Sequence, residues 1–230
     1  MKTLFDETAI GNMKLKNRFV RSATWEGMAD GDGRLTARLT AVYEALAKGG
    51  VGLIISGATC VAADATRLPG MAAIYDDSFI GDWRRLTDMV HGHGCPIVMQ
   101  LSFAGKGGGR WSPADAAAAE RGVDTIEVSG GEAELKKYLG RPHGESIFRE
   151  AAAVIAAAVS VPIILVGHNR TPALMTDVLN TTGIEYFALS RPLISEPDLV
   201  NRWCADAGKK AACVSCNGCF REGGNTCVLA

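Results

Sequence analysis

The stretch VGLIISGA at residues 51–58 is the clearest indication of the fold class, because it is a continuous apolar run of the length of one β-strand. Such a run is typical of a parallel strand that is covered on both faces. It follows LTARLTAVYEALAKGG (35–50), where apolar residues recur at helical spacing before a glycine pair that ends a helix. It precedes FIGDWRRLTDMVHGHG (79–94), a second amphipathic helix pattern that ends in glycine. The three stretches together predict a strand with a helix on either side of it in the chain.

The same alternation continues along the chain. Five further strand-like runs are FVRSA (19–23), PIVMQLS (96–102), VDTIEVSGG (123–131), PIILVGHN (162–169) and EYFALSRPLI (185–194). Helical patterns are found at 112–122, 146–160 and 171–183. Strands that alternate with helices predict an α/β fold with a parallel sheet. The pattern leaves open a doubly wound sheet and a (βα) barrel, although no G-x-G-x-x-G follows a strand as dinucleotide binding would require.

Composition excludes several classes of protein. The 230 residues carry 24 Lys and Arg against 25 Asp and Glu, a formal net charge of −1. This balance provides no basic surface for nucleic acid or an anionic membrane. The 47% of apolar residues is too high for a disordered chain, and no apolar run reaches the roughly 18 residues of a membrane span. The polar start of the chain does not match a signal peptide. We therefore expect a soluble cytoplasmic protein with no nucleic-acid or membrane partner.

Several motifs, in order, resemble the old yellow enzyme family of FMN-dependent NAD(P)H oxidoreductases. They are KNRFVRSATWEGMADGDGRLT (16–36), GGVGLIISGATCV (49–61), PIVMQLSFAGK (96–106), GVDTIEVSGG (122–131), VPIILVGHNRTP (161–172) and ALSRPLISEPDL (188–199). The SCNGCF tail (215–220) is similar to a bacterial branch related to the 2,4-dienoyl-CoA reductases. The resemblance implies a (βα)8 barrel that reduces activated alkenes.

The chain departs from the family between Lys106 and Ser112, where only GGGRW is found. A barrel of this type has eight βα units in about 250 residues, and the family's fourth and fifth strands have no counterpart here. We therefore expect a partial TIM (βα) barrel of about six parallel strands over 1–200, with its junction near 106–112, and a Cys-rich tail over 201–230. The third strand would then either close against the next strand present or leave both edges unpaired. Because exposed strand edges recruit other chains, we expect a homodimer or higher oligomer.

The resemblance also implies a set of FMN-binding residues at the ends of the strands. Ser22, Ala23, Thr24 and Trp25 would line the ring, Ala58 would pack at its edge, and Gln100 would bond its pyrimidine end. Backbone groups of Gly167, His168 and Asn169, with Ser190 and Arg191, would hold the phosphate, as N–H donors and a guanidinium suit an anion. Three of these positions keep a structural alternative: Gln100 could satisfy a buried backbone group, Arg191 could pair with Glu196 or Asp198, and Trp25 could belong to the core.

Four of the seven cysteines are crowded between residues 213 and 227 of the tail. Cys213, Cys216, Cys219 and Cys227 form a C-x2-C-x2-C-x7-C pattern, while Cys60 and Cys95 lie in apolar contexts and are expected to be buried. Four thiolates suit a zinc ion or an iron–sulfur cluster, and soft sulfur ligands do not choose between them. Free thiols are the alternative.

In the family, the stretch that has no counterpart here contains a His-His or His-Asn pair that orients the substrate. We therefore expect an FMN-binding remnant of an NAD(P)H:flavin oxidoreductase with weak or absent ene-reductase activity, and we assign no catalytic residue. The rival interpretations are a phosphate- or nucleotide-binding module without redox chemistry, and a structural partial barrel stabilised by oligomerisation.

Overall fold

The computed structural model describes residues 1–63, 68–102, 123–130, 144–221 and 223–229. Its strands are β1 (Thr8–Ile10), β2 (Met13–Leu15), β3 (Phe19–Arg21), β4 (Leu53–Ile55), β5 (Thr59–Cys60), β6 (Ile97–Val98), β7 (Leu101–Ser102), β8 (Ile126–Val128), β9 (Ile163–Leu165) and β10 (Ile184–Leu189). Its helices are α1 (Ala37–Lys48), α2 (Ile80–Gly92), α3 (Arg149–Ala158), α4 (Pro172–Thr181), α5 (Arg191–Ser195) and α6 (Leu199–Ala205), with a 3-10 turn at Asp77–Phe79.

The six predicted strands are confirmed, and all six belong to one sheet. Its order is β6-β4-β3-β10-β9-β8. The pairs β4–β6, β8–β9 and β9–β10 are parallel. The predicted helix at 112–122 and the predicted junction near 106–112 lie outside the described residues. The sequence interpretation did not include the antiparallel pair β1–β2 or the short parallel pair β5–β7.

β6 and β8 stand at the two ends of this order and are not paired with each other within the described residues. Which of the two outcomes holds for the third strand stays a prediction. Val98 of β6 is 39% exposed, and Leu101 of β7 is 63% exposed. Near β8, Val123 is 41% exposed.

The chain forms two compact units that are interleaved along the sequence. Unit 1 comprises Met1–Val20, Gly108–Leu189 and Arg202–Ala211, and unit 2 comprises Arg21–Gly107, Ser190–Asn201 and Ala212–Ala230. The boundary drawn from the sequence at residue 200 stays a prediction.

In unit 2, α1 covers the core with one face. Its first turn is capped by Thr36, whose hydroxyl accepts a hydrogen bond from the Leu39 amide at 3.2 Å, and it ends at Gly49 as predicted. The buried side chains Leu39, Tyr43 and Leu46 recur at helical spacing. Complete burial of a side chain such as Leu46 contributes about 1.5–3 kcal/mol. Cys60 and Cys95 are also buried in this unit, as expected.

In unit 1, the core lies around β9 and β10. All three residues of β9 are completely buried, and Ile163 and Leu165 align with Ile184 and Phe187 of β10. The rings of Phe19 and Trp203 pack with their centroids 5.4 Å apart. No helix in the described part of the chain is both long enough and apolar enough to cross a membrane.

Candidate functional site

The segment that follows β3 is anchored by a buried ion pair in unit 2. The side chains of Arg21 and Glu26 are 2% and 5% exposed, and Arg21 Nη2 donates to Glu26 Oε1 at 2.5 Å. Arg21 Nη1 also donates to the carbonyl oxygen of Ser190 at 2.5 Å. A buried charge is tolerated only when it is paired and hydrogen-bonded. This pair therefore fixes both ends of the segment 22–25 and ties it to Ser190.

Three of the predicted site residues meet beside this ion pair. The hydroxyl of Thr24 lies 2.9 Å from the hydroxyl of Ser190 and donates to the carbonyl oxygen of Ser22 at 2.9 Å. Ser22 and Thr24 are each 5% exposed. Thr24 and Ser190 are 166 residues apart in sequence. The structure therefore gathers hydroxyl groups from the ends of β3 and β10 into one group.

Gly57, which follows β4, approaches the same segment closely. A Cβ atom at this position would lie 2.5 Å from the carbonyl oxygen of Thr24, so no larger residue fits without displacing the backbone. The Gly57 amide donates to the Tyr43 hydroxyl at 2.9 Å, and burial raises the pKa of Tyr43 to about 12. Ala58 and Trp25 are half-buried and line one small cavity with Gly57. Trp25 also donates from its indole nitrogen to the carbonyl oxygen of Pro69 at 3.1 Å.

Gln100 lies just beyond β6 and is exposed. Its backbone amide donates to the Ser56 hydroxyl at 3.0 Å, and its carbonyl oxygen accepts from the Thr59 amide at 2.9 Å. These two bonds fix the backbone at this position. The exposure of Gln100 argues against the alternative in which its side chain satisfies a buried backbone group.

The loop after β9, in unit 1, is held by its own side chains. Gly167 and His168 have φ angles of 114° and 59°, a positive range that favours glycine. Asn169 is 2% exposed. Its Nδ2 donates to the carbonyl oxygens of Leu165 at 2.7 Å and Ala188 at 3.1 Å, and its Oδ1 accepts from Ser146 at 2.9 Å. The Asn169 side chain therefore holds the loop, which leaves the backbone groups as the candidate ligands.

Arg191 begins α5 and is half-buried. Its Nη1 donates to Oδ1 of Asn217, an exposed residue of the tail. The carboxylate of Glu196, one of the partners considered for Arg191, accepts from the Ala212 amide at 2.6 Å. Arg191 is therefore connected with the cysteine-rich tail, which the sequence did not predict.

The four tail cysteines line one cavity of about 50 Å³ together with Arg191 and Asn217. Cys219 is buried, Cys216 is exposed, and Cys213 and Cys227 are half-buried. Among the described residues, no three His, Cys, Asp or Glu side chains are arranged to hold a metal ion. The structure therefore gives no support to the zinc or iron–sulfur site considered for Cys213, Cys216, Cys219 and Cys227.

Comparison with known proteins identifies the family. Residues 3–141 match the model of the NADH:flavin oxidoreductase / NADH oxidase family. The chain belongs to this family. It is 37% identical over 106 residues to a metal reductase from Desulforamulus reducens, 36% identical over 106 residues to an NADH oxidase from Thermoanaerobacter brockii, and 32% identical over 133 residues to an NADPH dehydrogenase from Bacillus subtilis. These matches cover 46%, 45% and 56% of this chain, but only 16%, 16% and 39% of the relatives.

Solved structures of the flavin oxidoreductase family show the same fold. A variant of the old yellow enzyme homologue NCR from Zymomonas mobilis superposes with a TM-score of 0.72 at 17% identity and covers 90% of this chain and 92% of that one. Morphinone reductase in complex with tetrahydroNAD superposes with a TM-score of 0.63 at 16% identity, with 90% and 92% coverage. The predicted fold class, an α/β partial TIM barrel with a Cys-rich tail, is therefore confirmed.

The described residues of this flavin oxidoreductase family member have the donor chemistry that FMN needs. The pyrimidine end of a flavin has both N–H and C=O groups, which the exposed carboxamide of Gln100 can match. A phosphate needs a cation and N–H donors. Unit 2 has the guanidinium of Arg191, and unit 1 has the backbone N–H groups of the 167–169 loop.

Two features of the site were missed by reasoning from the sequence. The Arg21–Glu26 ion pair could have been suspected from the charged residues that bracket SATW within an apolar context. The bond between Arg191 and Asn217 had no such signal, because it joins the start of α5 to a tail residue 26 positions further along the chain.

Proposed function

We propose that this chain binds FMN and derives from an NAD(P)H:flavin oxidoreductase. The observation that supports this most is the group formed by Ser22, Thr24 and Ser190, whose segments are joined by hydrogen bonds of 2.5–2.9 Å. In (βα) barrels the ligand lies at the carboxyl ends of the parallel strands. β3 and β10, which these residues follow, are neighbours in the sheet.

In this proposal the residues divide the cofactor between them. Ser22, Ala23, Thr24, Trp25 and Ala58 contact the ring, and Gln100 bonds its pyrimidine end. Gly167, His168, Asn169, Ser190 and Arg191 hold the phosphate. Bound FMN supplies the capacity to accept a hydride from NAD(P)H and to pass it to an acceptor.

We further propose that ene-reductase activity is weak or absent, since the family's substrate-orienting pair has no counterpart in the sequence. The substrate stays open. Binding of a phosphate or nucleotide without redox chemistry is the alternative, and the experiment below separates the two.

We also propose that the chain forms a homodimer or higher oligomer through the edges at β6 and β8. Exposed apolar residues at strand edges favour pairing with another chain, and Val98 of β6 is 39% exposed. The cytoplasmic location stays a prediction.

The test is a visible absorption titration of the anaerobically purified protein with FMN. We expect a structured, shifted flavin band that bleaches on addition of NADH. The Gln100→Leu variant should bind FMN about two- to tenfold more weakly, the effect of one lost hydrogen bond. Asn180→Ala, which removes an exposed amide on α4, serves as the matched control.

Other results of the titration would favour the alternative functions. A protein that leaves the FMN spectrum unperturbed, yet binds inorganic phosphate, favours the non-redox alternative. Loss of both interactions favours a structural role. A broad brown absorption as purified would restore an iron–sulfur cluster on the tail cysteines.

A further inference from the structure

The guanidinium of Arg191 has two candidate hydrogen-bond acceptors. The proposed function assigns it to the phosphate of FMN, whereas in the structure its Nη1 donates to Oδ1 of Asn217. A bidentate phosphate contact through both terminal nitrogens would use the Nη1 edge that donates to Asn217 in this structure. We propose that Asn217 competes with the flavin phosphate for Arg191, so that FMN binding releases the tail segment 213–219 from Arg191. This inference rests on the proposed function and adds a form of regulation to that site.

The chemistry of the two acceptors decides which of them prevails. Asn217 is exposed and offers a neutral amide oxygen, and a hydrogen bond to such a group contributes little net stability because water replaces it readily. A phosphate carries negative charge and can accept two parallel N–H bonds from one guanidinium. The phosphate should therefore displace Asn217, and the loss of the Arg191–Asn217 hydrogen bond reduces the net free energy of FMN binding.

Release would be confined to the segment between two other anchors. On one side the Ala212 amide donates to Glu196 Oε2 at 2.6 Å. On the other side the Asn225 amide donates to the carbonyl oxygen of Glu26 at 3.0 Å, and its side-chain amide donates to the carbonyl oxygen of Trp25. Neither anchor involves Arg191.

The alkylation rate of the Cys219 thiol measures whether this segment is released. Cys219 is 7% exposed and lines the same cavity as Arg191 and Asn217. Burial shields this thiol from reagents, which keeps it unreactive while the segment is in place. Release of the segment would expose the thiol and speed its alkylation. Because coupling between two sites is reciprocal, whatever weakens tail docking must also strengthen FMN binding.

Asn217 can be replaced in two directions with little disturbance of the backbone. Its φ of 61° lies in the left-handed region, which glycine and aspartate tolerate. Asn217→Gly removes the competitor and should tighten FMN binding about two- to tenfold. Asn217→Asp places a carboxylate beside Arg191 and should weaken FMN binding about two- to fivefold. Ser215→Gly is the matched control, since Ser215 has a φ of 58° in the same segment.

The experiment measures FMN and riboflavin affinity by flavin fluorescence, and Cys219 alkylation by mass spectrometry, in the wild-type chain and the three variants. Riboflavin lacks the phosphate, so its affinity should not change among them. FMN should speed Cys219 alkylation about two- to tenfold in the wild type, and riboflavin should not.

The failures are distinguishable. Equal FMN affinity in all four proteins, or Cys219 alkylation that does not respond to bound FMN, overturns the competition and leaves the proposed function standing. A chain that binds neither flavin in any variant overturns both.

Discussion

The loops that follow β9 and β10 were both expected to hold a phosphate, yet their side chains are used in opposite ways. In the first loop, the Asn169 side chain makes three internal hydrogen bonds and is 2% exposed. In the second, Arg191 is half-buried and donates to an exposed asparagine of the tail. The side chain of Asn169 therefore stabilises its own loop, whereas Arg191 contacts an exposed tail residue that, in our proposal, the flavin phosphate displaces.

The backbone of the second loop is nevertheless fixed, through Arg21 and Glu26. Glu26→Leu leaves the Arg21 guanidinium buried without its partner, and we expect the free energy of unfolding to fall by about 3–5 kcal/mol. Urea denaturation measures the loss. In the double variant Arg21→Met/Glu26→Leu most of the stability should return, because no uncompensated charge remains.

The exposed ion pair Lys48–Glu44 provides the control for that prediction. Its side chains are 56% and 40% exposed, so Glu44→Gln should change the free energy of unfolding by less than about 0.5 kcal/mol. A loss of similar size in Glu44→Gln and Glu26→Leu would contradict the special role of the buried pair.

The first loop should depend on Asn169 for its stability. Asn169→Ala leaves two buried carbonyl oxygens without their donor, and we expect a loss of about 2–4 kcal/mol in the free energy of unfolding. Asn180→Ala removes an exposed amide that bonds the carbonyl oxygens of Lys2 and Thr176, and it should cost about 1 kcal/mol or less. Equal effects of the two changes would mean that the 167–169 loop is not fixed in the way described.

Tyr43, which supports Gly57 beside Thr24, adds a pH dependence. Burial raises its pKa from the ordinary value of about 10 to about 12, so the folded state favours the neutral phenol. The stabilisation is complete below pH 10 and is lost as the pH rises from 10 to 12. The loss approaches roughly 3 kcal/mol.

Denaturation curves collected from pH 9 to 12 measure this effect. In Tyr43→Phe the chain should start less stable by about 1 kcal/mol, for the hydrogen bond from Gly57, and lose less stability over the same range. A pH dependence that is identical in the two proteins would show that Tyr43 does not titrate in this way.

The strands were predictable because each contains an apolar run between turn residues, as in VGLIISGA. The β1–β2 pair was not, since each strand has three residues and no distinct apolar pattern. Among the site residues, Ser22, Thr24 and Ser190 followed from the family resemblance, and the structure brings them together. Contacts such as Arg191 with Asn217 depend on how a glycine-rich tail folds back, and no local pattern in the sequence encodes that.

The central claim is that these residues form a flavin site that prefers a phosphate, and the ratio of FMN affinity to riboflavin affinity tests it most directly. A guanidinium–phosphate contact contributes about 1.5–3 kcal/mol, so the wild-type chain should bind FMN about 10- to 100-fold more tightly than riboflavin. In Arg191→Leu the ratio should fall toward one. Equal affinity for the two flavins in the wild-type chain, or a ratio unaffected by Arg191→Leu, would contradict the account.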